Sequence, residues 1–223
     1  MRIISVQLLN HFLKLFDYDE NNSFKKNAII KKVACVTDAD PTRKEANKEK
    51  SKFNKCFPYQ LNLELSNFEY QKVSQNLTTL DQTYCGKQKI GIFARRDGRG
   101  KTFEYDFMFE NPNCQLLLTE GISKKEEILN LMKAYEENKP FEDFLQLLSS
   151  LDREKKDIEI SDWPEDEKKK AIIASRYLKS VENSKGEFAL EISLKLKQNL
   201  IEKSEDFNLP NHIHEAIDFI CGE

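Results

Sequence analysis

Val33-Ala34-Cys35-Val36-Thr37-Asp38-Ala39-Asp40-Pro41 is a short apolar run that stops at two carboxylates. Apolar runs of this length, rich in β-branched residues, read as buried strands. The strand region covers residues 28–37. Upstream, residues 8–16 place Leu8, Leu9, Phe12, Leu15 and Phe16 on one helical stripe, and Ile3-Ile4-Ser5-Val6 before it reads as a strand. Strand, helix, strand, then acids is the order of an α/β fold, in which sites lie beyond the carboxyl ends of strands.

Downstream, Ile90, Ile92 and Phe93 suggest another strand, and Arg95-Arg96-Asp97-Gly98-Arg99-Gly100 a turn. Thr102-Phe103-Glu104-Tyr105-Asp106-Phe107 alternates polar and apolar, so residues 101–109 read as a returning strand, paired as a hairpin with the one before it. Residues two apart on a strand share a face. Glu104 and Asp106 would then lie together, opposite Phe103, Tyr105 and Phe107. Residues 41–55 are polar and basic and read as an exposed helix or loop. From about residue 122 the pattern is helical: Ser123-Lys124-Lys125-Glu126 has the form of a capping box, and further helices are expected from Pro140, from Asp162 with Pro164, over 185–201, and over 210–221.

The chain has 223 residues, 39 % of them apolar and 33 % charged, with net charge −3. This suits one domain, or one domain with a helical appendage, under a heavily charged surface. Any nucleic-acid contact must come from a local basic patch rather than from the whole molecule. The five cysteines form no CxxC pair, and their odd number argues against a closed disulfide framework, so a reduced, cytoplasmic setting is expected. No apolar stretch of ~18 residues occurs, so no membrane contact is expected.

Asp38, Asp40, Glu104 and Asp106 are candidate metal ligands, because hard carboxylate oxygens suit Mg²⁺ or Mn²⁺ and leave room for water and phosphate. Two such ions would activate water and stabilise the leaving oxygen in phosphodiester cleavage. Simpler readings stand beside this. Asp40-Pro41 has the form of a helix N-cap, and Glu104 and Asp106 suit the solvated face of an edge strand. Arg95, Arg96, Arg99 and Lys101 in the glycine turn are candidates for phosphate contact. The run from Arg43 to Lys55, with Phe53 and Phe57, would track a nucleic-acid backbone, although Glu45 and Glu49 favour a solvated helix. Thr119-Glu120-Gly121-Ile122 has the form of a catalytic Glu-Gly turn but is more simply a loop before a helix.

Taken in order, Val33 to Pro41, Lys101 to Phe107, Lys185-Gly186-Glu187-Phe188-Ala189-Leu190 and Phe207 to Ile217 resemble the C-terminal Toprim region of OLD-family (overcoming lysogenization defect) ATP-dependent endonucleases. The resemblance covers nearly the whole chain. It implies a Toprim-like Rossmannoid α/β core over residues 1–120, a helical C-terminal extension over 121–223, and two-metal DNA cleavage. Carried over by position, Asp38 and Asp40 match the metal-binding DxD, and Glu104 and Asp106 the later acidic strand. Asp38 and Lys185 are then the catalytic candidates, Lys185 matching a lysine that stabilises the transition state. The family carries an ABC-type ATPase domain before this region, whereas no Walker A pattern occurs here. The family's first Toprim strand, ending in a metal-binding glutamate, is likewise missing, and Glu120 is out of order to replace it. The expected partners are therefore DNA and an ABC-type ATPase domain or chain, with a homodimer as a further arrangement. The alternative is a non-catalytic remnant or interaction module that keeps the fold.

Overall fold

The computed structural model describes residues 6–17, 29, 31–46, 51–61, 67–148, 152–182, 185–203 and 205–222. The architecture is mixed α/β, with two small sheets among the described residues. The first is a parallel pair, β1 (Val33–Val36) and β5 (Ile90–Phe93), in register from Val33↔Ile90 to Val36↔Phe93. The second is antiparallel, with β2 (Thr42–Glu45) between β3 (Asn54–Lys55) and β4 (Phe68–Gln71). Both the second sheet and α2 (Gln75–Tyr84) are inserted between the two parallel strands.

The parallel pair has helices on both faces, as its near-continuous apolar sequence requires, although Val36 at the end of β1 stays exposed. Val33, Cys35, Ile90 and Ile92 pack with Leu13 of α1 (Val6–Leu13) and with Leu80 and Tyr84 of α2. The helix expected over 8–16 is present, continued by a single 3₁₀ turn, Lys14–Phe16, but its buried residue is Leu13, while Phe12 and Leu15 of the expected stripe are exposed. Of the strand expected at 3–6, residues 3–5 lie outside the described residues, and Val6 opens α1. On the opposite face lies α9 (Asn211–Cys221), with the Phe219 ring centroid 5.6 Å from that of Phe93. Gly91 permits this contact: a Cβ there would meet the Phe93 ring, and would come to 3.1 Å from Phe219.

The larger core is helical. Here α3 (Phe103–Glu110) lies along α7 (Glu165–Val181), which also carries α4 (Lys125–Glu136) and α5 (Phe141–Leu147). Tyr105, Leu131, Phe144, Ile173 and Tyr177 are fully buried in it, together with Tyr59. The Tyr177 hydroxyl donates to the Leu117 carbonyl at 2.9 Å. The two remaining helices are α6 (Asp152–Glu159), before α7, and α8 (Lys185–Glu202), after it. Phe188 of α8 packs against Tyr177, but Leu190, Leu194, Leu200 and Ile201 are exposed.

Three expectations are corrected. Residues 103–110 are a helix, not the second arm of a hairpin. Thr102 caps it, its hydroxyl oxygen accepting the Tyr105 N–H at 3.4 Å. Tyr105, Phe107, Met108 and Phe109 are all buried, which a half-solvated strand would not achieve. Glu104 and Asp106 therefore share no face, because residues two apart on a helix sit roughly 200° apart around its axis. Residues 41–55 hold strands β2 and β3 rather than a helix. Finally, α4 begins without the capping box: Lys124 is left-handed (φ +56°), and Ser123 Oγ donates to the Ser180 carbonyl instead. The helices expected from Pro140, Pro164, Lys185 and Pro210 all form, whereas α6 carried no sequence signal beyond its charges.

Candidate functional site

The chain leaves β1 along its ladder, with Thr37 N–H donating to the Phe93 carbonyl at 2.9 Å, and turns through Asp38, Ala39 and Asp40. Three elements meet this turn. Asp38 Oδ1 accepts the Phe103 N–H at 3.0 Å, placing its charge at the amino end of α3, where the helix dipole favours an anion. The Ala39 carbonyl accepts from Ser74, the residue that caps α2. Asp40 N–H donates to the Lys101 carbonyl at 2.9 Å.

Asp40 is held left-handed, with φ +43°, a conformation aspartate tolerates better than most residues. Its Oδ2 accepts from Lys55 Nζ at 2.7 Å, while its Oδ1 is buried with no hydrogen-bond partner among the described residues. Side by side with it is Lys101, whose Nζ donates to the Cys56 carbonyl at 2.9 Å and sits 4.9 Å from the Phe57 ring centre. Burial holds this lysine below its ordinary pKa, against the pull of Asp40. A desolvated lysine next to a carboxylate is a usual feature of functional sites.

Asp106 lies behind the turn. It is 2 % exposed, and its Oδ1 accepts the Lys101 N–H at 3.1 Å. Burial pushes its carboxyl up to about 8, despite the opposing pull of Arg95 and that N–H. His212 Nε2 lies 4.0 Å from Asp106 Oδ2, and burial, with help from Arg95, lowers the imidazole. Both shifts favour the uncharged form of each partner. Glu104 is half-buried on another side of α3, facing Tyr177, whose phenol it helps hold up after burial.

Each of the four basic residues of the glycine turn has an internal partner, and the Arg96 and Arg99 pairs are partly solvated. Arg95 pairs with Asp97 and Glu110 and lies over Phe109, and Gly100 lets the loop pass against it, since a Cβ there would come to 2.7 Å from the Arg95 carbonyl oxygen. Arg96 pairs with Asp81. Arg99 pairs with Glu167 and lies 4.2 Å from the Trp163 ring centre. Lys185 opens α8, and its side chain lies outside the described residues. Two participants were missed from sequence. Lys55 carried no signal beyond its place in a basic run, and His212 none beyond its place near the start of a helix.

Asp38, Asp40 and, behind them, Asp106 are thus brought to one end of the parallel pair. No group of three His, Cys, Asp or Glu side chains suited to a metal ion occurs among the described residues. No protein-family model, curated protein or solved structure matches this chain. Among the described residues, no helix is long and apolar enough to cross a membrane.

Proposed function

We propose that the turn after β1 is a Toprim-like, divalent-metal-assisted phosphodiesterase centre, and that the chain is the DNA-cleaving module of an OLD-type nuclease acting with an ABC-type ATPase domain or chain. The observation that carries this reading is the pair Asp38 and Asp40 beyond the carboxyl end of a parallel strand, with Asp40 Oδ1 buried and unpartnered. Mg²⁺ is commonly held by one or two protein carboxylates, with water and substrate phosphate completing its shell. Asp38 and Asp40 fit that role. A bound Mg²⁺ or Mn²⁺ would lower the pKa of a water and neutralise charge on the phosphate.

The chain's own residues have separate tasks in this scheme. Asp38 and Asp40 hold the cation. Lys55 sits at hydrogen-bond distance from Asp40 and offers positive charge to a phosphoryl oxygen. Buried Lys101 and Asp106 fix the turn through backbone contacts. Lys185 keeps its proposed transition-state role through its match to the family motif. Asp106, buried behind the turn with its Oδ1 accepting the Lys101 N–H, serves as a positioning group.

The test is plasmid nicking with Mn²⁺ by the purified chain, alone and with an ABC-type ATPase chain. Nicking lost in Asp38→Asn and Asp40→Gly, with both variants folded, supports the reading. Nicking retained in both variants, or none by the folded wild type in either setting, overturns it. One observation favours the second reading, a non-catalytic interaction module: each aspartate already has a structural task, Asp38 at the α3 terminus and Asp40 with Lys55. Folded wild type without nicking, with or without the ATPase chain, is the result that reading requires.

A further inference from the structure

The antiparallel sheet has a feature that the acidic turn does not use. Beside β2 runs an open groove of ≈ 390 Å³ whose lining includes Arg43, Lys44, Lys52 and Lys55, with Glu45 as its one acid among the described residues. The parent segment is unusual in this chain. Residues 43–55 hold six Lys or Arg and two Asp or Glu, a local net charge of +4 in a molecule of net charge −3. Local concentration against an acidic background is the electrostatic footprint of polyanion binding.

Two aromatic rings border the same strip. Phe68 lines the groove under the Arg43 guanidinium, 4.9 Å from its ring centre. Phe53 is 37 % exposed, with Lys44 Nζ 5.0 Å from its ring centre. Arg43 keeps a buried Nη1 without a hydrogen-bond partner, although its other amino group lies 3.6 Å from Asp157. The Lys44–Glu69 pair is partly solvated, so a phosphate competes with it at small cost. Cations along a groove with an exposed ring beside them are the elements of a single-strand platform: charge tracks the backbone and the ring stacks a base.

The strip leads to the acidic turn. Lys55 lines the groove and also holds Asp40, and β2 starts two residues after Asp40. We infer that the groove beside β2 is the track for single-stranded DNA, with Arg43, Lys44 and Lys52 on phosphates and Phe53 under a base, delivering the strand past Lys55 to Asp38 and Asp40. This rests on the nuclease reading for the choice of DNA and for the destination of the strand; the binding itself does not.

The test is fluorescence anisotropy of the full chain with labelled oligo(dT) in EDTA, so that binding is read without cleavage. The variants are Lys52→Glu and Phe53→Ala, both on exposed side chains, with Lys197→Glu on α8 as a remote control of equal charge change. Wild type binds with a log–log salt slope of about −0.7 per phosphate contact. Lys52→Glu weakens binding and flattens that slope, Phe53→Ala weakens it roughly fivefold or more, and Lys197→Glu binds as wild type. Equal binding by wild type and both groove variants overturns the inference. Tighter binding of a duplex overturns the single-strand assignment, and tighter binding of oligo(U) overturns the choice of DNA. Groove-dependent binding without nicking sinks the nuclease reading and leaves the track standing. Nicking untouched by Lys52→Glu and Phe53→Ala sinks the track and leaves the nuclease.

Discussion

Asp38 Oδ1 accepts the backbone N–H of Phe103 at 3.0 Å, so the turn after the first parallel strand also satisfies the start of a helix 65 residues away. Structural and chemical roles meet in one carboxylate, and substitution separates them. Asp38→Ala removes the acceptor and lowers stability by about 1 kcal/mol, the ordinary cost of a lost helix cap. Asp38→Asn keeps an acceptor oxygen and loses less. Urea unfolding measures the difference. If the carboxylate also serves chemistry, Asn costs nicking as much as Ala does.

Asp40 is a different case, because its backbone is left-handed at φ +43°. Asp40→Gly keeps that conformation at no steric cost, whereas Asp40→Ala adds strain on the order of 1 kcal/mol. Gly at this position therefore unfolds at higher urea than Ala, while both lack the carboxylate. The opposite order would mean that the turn relaxes to negative φ.

Asp106 makes stability fall as pH rises. Its folded-state pKa, about 8, lies above the ordinary value of 3.8, so between these limits the folded state binds the extra proton. That contribution is complete below about pH 4 and is lost progressively up to about pH 8. His212 acts in the opposite sense: its lowered imidazole weakens the fold as pH falls below 6.5. Urea midpoints of wild type and Asp106→Asn at pH 5.5, 7 and 8.5 separate the two. The asparagine variant gains on wild type as pH rises; parallel curves would show that Asp106 is ionised in the folded state.

Burial divides two apolar positions, one on α5 and one on α8. Phe144→Ala empties a fully buried site and costs about 3–5 kcal/mol. Leu194→Lys replaces a side chain that is 61 % exposed and changes stability by less than about 0.5 kcal/mol. Thermal melts of the two variants check the contrast, and a large loss at Leu194 would place that face of α8 against another surface.

How far the sequence could be read follows from what each stretch buries. The run from Val33 to Val36 was legible because a strand covered on both faces is apolar throughout, and its stop at Asp38 located the turn. The stretch from Phe103 to Phe109 was not, because nearly every side of that helix is buried and its alternation imitates a strand. Acids in its first turn and a threonine before it were the overlooked signals. The basic strands β2 and β3 read as a helix because their small sheet buries little and leaves no alternating stripe. Lys55, Lys101 and His212 come together only through tertiary contacts, which no local pattern encodes.

The cover of the parallel pair has a consequence for how the molecule is made. Residues 33–36 leave the ribosome about sixty residues before their ladder partner, but one face waits for the helix that ends at Cys221. Contacts across so long a separation slow folding. Until synthesis passes that helix, Ala34 and Phe93 stay open to water, and the nascent chain carries a bare apolar sheet face that a chaperone can hold.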